Sequence, residues 1–166
     1  MAMTRITQLF LILICAGCAY PQSEVLSNFQ EKYKHDSDVT FLTINGSLVN
    51  LVGEIASLDD NHDEEVESFS RLTKGVDNIN IMTFDQYEHL LSKEEIEDFD
   101  KGLSGEGYEE LMNIRKDGKT VRILSQSNDV NTLSNVIIIS KEHRELSIIN
   151  IDGEFNLKDV VKLVEH

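Results

Sequence analysis

The run YEELMNIRKDGKTVRILS, residues 108–125, decides the fold, because apolar side chains recur in it with period two and Asp117-Gly118 sits near its middle. An Asp-Gly pair between alternating runs is a strong signal for a two-residue hairpin, since both residues accept the positive φ that a tight reversal needs. The two arms therefore read as neighbouring antiparallel strands, although residues 108–112 fit a helical turn as well. Further on, V136-I-I-I139 is continuously apolar, as a strand buried on both faces would be. Glu142-His143 turns the chain into LSIINI, residues 146–151, and Asp152-Gly153 is read as the end of that strand. Asn156 then caps a last helix that turns Leu157, Val160, Val161 and Leu163 inward. The C-terminal half reads as an antiparallel meander closed by a helix.

Upstream the period changes. From Ser23, an N-cap, Val25, Leu26, Phe29 and Tyr33 fall at helical spacing, and VTFLTI at 39–44 reads as a strand. Asn45-Gly46-Ser47 breaks it, after which Leu48, Leu51, Val52 and Ile55 form one apolar stripe. The polar link SLDDNHD at 57–63 leads to a second helix holding Val66, Phe69 and Leu72, and Ile79, Ile81 and Phe84 alternate in a second strand. Strand, helix pair, strand is read as a right-handed crossover between parallel strands. Residues 85–103 are helical twice over, and S92-K-E-E95 has the capping-box spacing. The expected fold class is α+β: a two-layer sandwich whose mixed sheet ends in the antiparallel meander, with helices mostly on one face.

The N-terminus carries an address. Arg5 precedes an apolar run from Leu9 to Cys15 that is far shorter than the roughly 20 residues of a membrane-spanning helix and suits an export signal. Two cleavage sites fit. Ala16-Gly17-Cys18 resembles a lipobox, with Cys15 where an aliphatic residue is usual, whereas Gly17-Cys18-Ala19 suits ordinary cleavage after Ala19. Cysteine arithmetic favours the first, because a chain cut before Cys18 keeps one cysteine and no internal partner for it. Lipid on that thiol gives it a use, and two or three acyl chains hold a protein where one does not. The expected organisation is a lipoprotein-type signal at 1–17, a tether at 18–23 and a single domain at 24–166. An outer-membrane lipoprotein facing the periplasm, or a periplasmic protein, is expected, with a soluble secreted protein as the alternative.

Fifteen basic against thirty acidic residues give a net charge of −15. Such a surface repels phosphate backbones and anionic head groups, so nucleic acid is excluded as a partner and the membrane is met through the lipid only. Asp59, Asn61 and Asp63 match the first three ligand positions of a calcium loop, but Glu64 stands where the turn glycine belongs and Ser70 where the bidentate glutamate belongs. They remain weak candidates beside a plain solvated loop. His35, His62, His89, His143 and His166 are scattered, with no zinc spacing among them. No Gly-x-Ser-x-Gly elbow or phosphate-binding glycine loop occurs. No catalytic residue and no cofactor are expected.

The order of these elements carries a resemblance. A signal ending in cysteine, an acidic helical half, Y108-E-E-L-M112, a β-rich stretch and G153-E-F-N-L-K-D-V160 look like the domain-of-unknown-function 4252 family of small exported proteins of Gram-negative bacteria. The resemblance implies an envelope protein with no assigned reaction or cofactor. Tyr108, Leu111, Gly153, Phe155 and Leu157 are its matching positions, expected to pack the sheet and the final helix. The leading expectation is a non-enzymatic envelope protein acting through contacts with other envelope proteins, in stress or signalling. The alternatives are a small-ligand or cation-binding periplasmic module and, more remotely, a hydrolase.

Overall fold

The computed structural model describes residues 23–57, 64–129 and 131–159. In chain order the elements are α1 (Glu24–Tyr33), β1 (Val39–Asn45), α2 (Gly46–Ala56), α3 (Glu64–Lys74), β2 (Val76–Phe84), α4 (Tyr87–Leu90), α5 (Lys93–Gly105), β3 (Glu109–Lys116), β4 (Lys119–Asp129), β5 (Thr132–Glu142) and β6 (Glu145–Asn156). The strands form one six-stranded sheet in the order β1-β2-β6-β5-β4-β3. The α+β class and the C-terminal meander are as expected.

The sheet is antiparallel throughout, not mixed. β1 and β2 pair antiparallel, from Val39 opposite Phe84 to Asn45 opposite Asn78. The reason is the number of helices between them: α2 runs out, α3 runs back, and the chain re-enters the sheet at the end it left. A single crossover helix is what a parallel pair would have needed.

The hairpin at 117–118 forms as read, with positive φ of 51° at Asp117 and 81° at Gly118, and residues 109–116 are strand. Two other readings change. Along β5 burial alternates, with Ile137 and Ile139 buried while Val136 and Ile138 stay half-exposed, so the apolar run is not covered on both sides. β6 does not end at Asp152-Gly153 but runs on to Asn156. Gly153, at φ 149°, pairs with Val76 beside an irregularity in the β2/β6 ladder. A side chain there would strike the Gly75 carbonyl, so this glycine serves close approach rather than a turn.

The core lies on one face of the sheet. Met82 and Phe84 of β2, Leu146 and Ile148 of β6, Ile137 and Ile139 of β5 and Leu124 of β4 meet Leu26 and Tyr33 of α1 and Phe99 and Leu103 of α5. Phe29 stands between α1, α5 and the sheet, its ring centroid 4.6 Å from that of Phe99 and 5.7 Å from that of Phe84. Of the family-matched positions, Tyr108, Gly153 and Phe155 are buried, and Leu157 is partly buried. Leu111 is not packed as expected: it is 49% exposed, at a bulge in β3 between Glu110 and Met112.

α2 and α3 pack with their small residues inward. A Cβ on Gly53 would overlap the Thr73 side chain, and Ser68, Ser70 and Thr73 are buried. The stripe of Leu48, Leu51, Val52 and Ile55 is left facing solvent.

α1 and α5 are each capped at the N-terminus, and Glu95 of the second cap ties the two helices together. The Ser23 hydroxyl accepts from the Leu26 amide at 3.0 Å, and the capping box at Ser92 and Glu95 is present as read. The Glu95 carboxylate also pairs with the Lys32 ammonium and accepts from the Tyr33 hydroxyl at 2.9 Å. Lys32 chiefly, then the Ser92 amide and the Tyr33 hydroxyl, hold this carboxyl at about 2 against an ordinary 4.5. A carboxyl depressed by folding stabilises the fold above its unfolded value, and that contribution is lost as pH falls through the folded one. Glu95→Gln is therefore expected to weaken the protein at neutral pH and to flatten the loss of stability between pH 4.5 and about 2. Urea titrations at the two ends of that window check this, and an unchanged gap between them contradicts it.

Candidate functional site

Three features gather functional chemistry. The first is a cleft of about 520 Å³ where β3, β4 and β5 face α5, lined among others by Asp100, Glu110, Arg115, Thr120, Arg122 and Lys141. Arg122 holds it together. Its Nη1 donates to both carboxylate oxygens of Asp100, at 2.8 and 2.9 Å, and its Nε to Glu110 Oε2 at 2.6 Å. Asn113 Nδ2 donates to the other Glu110 oxygen at 3.1 Å. Arg122, then Asn113, pull the Glu110 carboxyl below its ordinary value; burial pulls Arg122 downward, but its two carboxylate partners outweigh this and raise it. Lys141 extends over the Tyr87 ring at 5.8 Å. Three cations against two carboxylates make the cleft locally positive in an anionic molecule, a place for an anionic group to land. Thr120 is its only hydroxyl and it has no histidine, so the lining lacks a nucleophile with a base beside it.

The second is a polar row toward the far end of the same sheet face. Thr43 Oγ1 donates to Asn80 Oδ1 at 2.9 Å, Asn80 Nδ2 reaches Asp152 Oδ2 at 3.4 Å, and Asn150 Nδ2 donates to Asp152 Oδ1 at 2.7 Å. Burial raises the Asp152 carboxyl against the opposing Asn150 hydrogen bond, with Asp77 adding to the rise. Burial, then Asp152 and Glu106, push the Tyr108 hydroxyl up to about 12, so it stays protonated at any physiological pH. The row is thus a chain of side-chain hydrogen bonds that runs from Thr43 through Asn80 and Asp152 to Asn150.

The third is the opposite face of the sheet. Because successive side chains alternate, the strand registers assign Leu42, Ile81, Ile149, Ile138, Ile123 and Met112 to one row across all six strands. Ile44, Ile79, Ile151 and Val136 form a parallel apolar row beside it. On the other side lie Thr40, Thr83, Ser147 and Ser140, with Thr83 and Ser147 hydroxyls 3.2 Å apart. Every one of these side chains is half-exposed or exposed, and none belongs to the buried core. Together the two apolar rows make a contiguous aliphatic surface on this face of the sheet.

Of the residues singled out from sequence, Cys18 and the loop residues Asp59, Asn61 and Asp63 lie outside the described residues. Among the described residues no group of three or more His, Cys, Asp and Glu side chains converges to hold a metal, and no helix is long and apolar enough to cross a membrane. The cleft and the open face escaped the sequence reading. V136-I-I-I139 and I148-I-N-I151 carry the signal for the face, since apolar residues of both parities announce two apolar sides, but at 136–139 the pattern reads equally as burial on both.

The family model described as domain of unknown function (DUF4252) matches residues 33–163. No curated protein and no solved structure matches the chain.

Proposed function

We propose that this chain, which belongs to the DUF4252 family, is a non-enzymatic protein of the bacterial envelope that works by protein contact while lipid on Cys18 holds it at the membrane. One observation carries the contact reading: the open sheet face, a contiguous aliphatic row that crosses all six strands. The acidic surface and the lack of a nucleophile and base in the cleft agree with it. The role is that of a docking component in an envelope assembly, of the kind that serves stress sensing or signalling, on the periplasmic side of the outer membrane.

A photo-crosslinking residue placed at Ile149 in growing cells tests the contact, with the same residue at Glu97, exposed on α5 beyond the opposite face, as the control. Discrete protein adducts from Ile149 and none from Glu97 are expected. Failure of Ile149 to give any adduct, or equal labelling from both positions, removes the reading. For the anchor, metabolic labelling with a palmitate analogue should mark the unaltered protein and not Cys18→Ser, and label retained by the mutant refutes lipidation at that thiol.

The cleft around Arg122 favours a second reading, a module that binds a small anionic ligand between Arg115 and Lys141. Calorimetry with simple dicarboxylates, compared with Arg115→Ala, decides that alternative.

A further inference from the structure

We infer that the partner of the open sheet face is a second copy of this chain, the two sheets stacking to give a particle layered helix, sheet, sheet, helix. The inference rests on the protein-contact reading and names its partner.

Charge is the first argument. Two molecules of net charge −15 repel, and they can approach only through surface that carries none. The central row from Leu42 through Ile81, Ile149, Ile138 and Ile123 to Met112 has no charged side chain, and hydroxyl residues flank it on one side. Within the three rows the one charged side chain is Glu109, at the β3 end of the row that holds Val136, and beyond the hydroxyl-bearing row Lys119 and Glu142 pair at 3.0 Å. An uncharged apolar centre with a polar border is the anatomy of a protein interface.

Area and shape agree. Six strands about 4.8 Å apart and three side-chain rows about 7 Å apart give a footprint of about 600 Å² per copy, or roughly 1,200 Å² in total, which meets the lower bound of stable specific interfaces. Identical sheets share one twist, so two such faces can nest at about −30° and about 10 Å apart, as in a β-sandwich. A two-fold contact needs a self-complementary patch, and a row of aliphatic side chains is complementary to itself.

The chemistry of the face separates a second copy from other occupants. Its two apolar rows carry no aromatic and no basic residue, whereas surfaces that lie on membranes rely on both.

Sedimentation velocity on the protein as purified from its expressing cells, over the micromolar range, should show a concentration-dependent species of twice the single-chain mass. Leu42→Asp and Met112→Asp lie at the ends of the central row on exposed positions, so each variant should keep the far-ultraviolet spectrum and the cooperative melt of the parent. Each is expected to weaken association by about ten-fold or more. A parent that stays monomeric, or a dimer indifferent to both substitutions, overturns the inference. If the Ile149 photoprobe captures a different protein while the purified chain is monomeric, the second copy is refuted and the contact reading stands. A monomer whose Ile149 probe captures nothing removes both.

Discussion

Gly153→Ala is expected to lower the unfolding free energy by about 3 kcal/mol or more, the largest effect available from adding a single carbon to this protein. Two penalties coincide at that position. Its φ of 149° lies in a region that side chains rarely adopt, and an added Cβ would stand 2.0 Å from the Gly75 carbonyl oxygen and 3.2 Å from the Val76 Cα. Both neighbours are backbone, held by the Glu154 amide donating to that same carbonyl at 3.0 Å, so neither can step aside by a rotamer change. Gly118→Ala separates the two penalties. Gly118 also has positive φ, 81°, but nothing stands within 4 Å of the added carbon, so only the backbone strain of about 1 kcal/mol should be seen. Urea denaturation of both variants checks the contrast, and equal losses would show that steric overlap at Gly153 is relieved.

Phe84→Ala is expected to cost about 3 to 5 kcal/mol, because it empties the centre of the helix-covered face. Phe84 has no exposed surface, and its ring lies 5.2 Å from Tyr33 and 5.7 Å from Phe29, so deletion unseats α1 as well as leaving a cavity. Phe41 belongs to the same face of the sheet but to edge strand β1, and is 37% exposed. Its replacement by alanine should cost about 1 to 1.5 kcal/mol, in keeping with the smaller area it hides. Thermal melts of the pair report how unequally the two positions share the core.

Comparing these sites with the sequence shows where local pattern suffices. The hairpin at 117–118, the capping box at 92–95 and the cap at Ser23 are set by residues a few positions apart, and the structure forms each of them. The direction of β2 is different. It depends on how many helices precede it and how they dock, and a reading that treated the helix pair as one crossover reversed it. Burial is harder still. Alternation reveals that a strand has two faces, but which face is covered depends on where α1 and α5 settle, and the outward stripe of α2 followed from small residues inside its contact with α3. The cleft was out of reach for another reason. Asp100, Glu110 and Arg122 come from α5, β3 and β4, and among thirty acidic residues no pairing partner for one arginine can be chosen by spacing.

The strand order has a consequence for how the protein comes to be. β6 is the last strand in sequence and lies in the interior of the sheet, hydrogen-bonded to β2 on one side and β5 on the other. Until residues 145–156 emerge, the chain can hold only two half-sheets, β1 with β2 and the run from β3 to β5, each with a bare edge waiting for the same missing strand. Closure joins segments far apart in the chain, a topology that slows folding, and the two half-sheets stay unjoined until residues 145–156 pair between them.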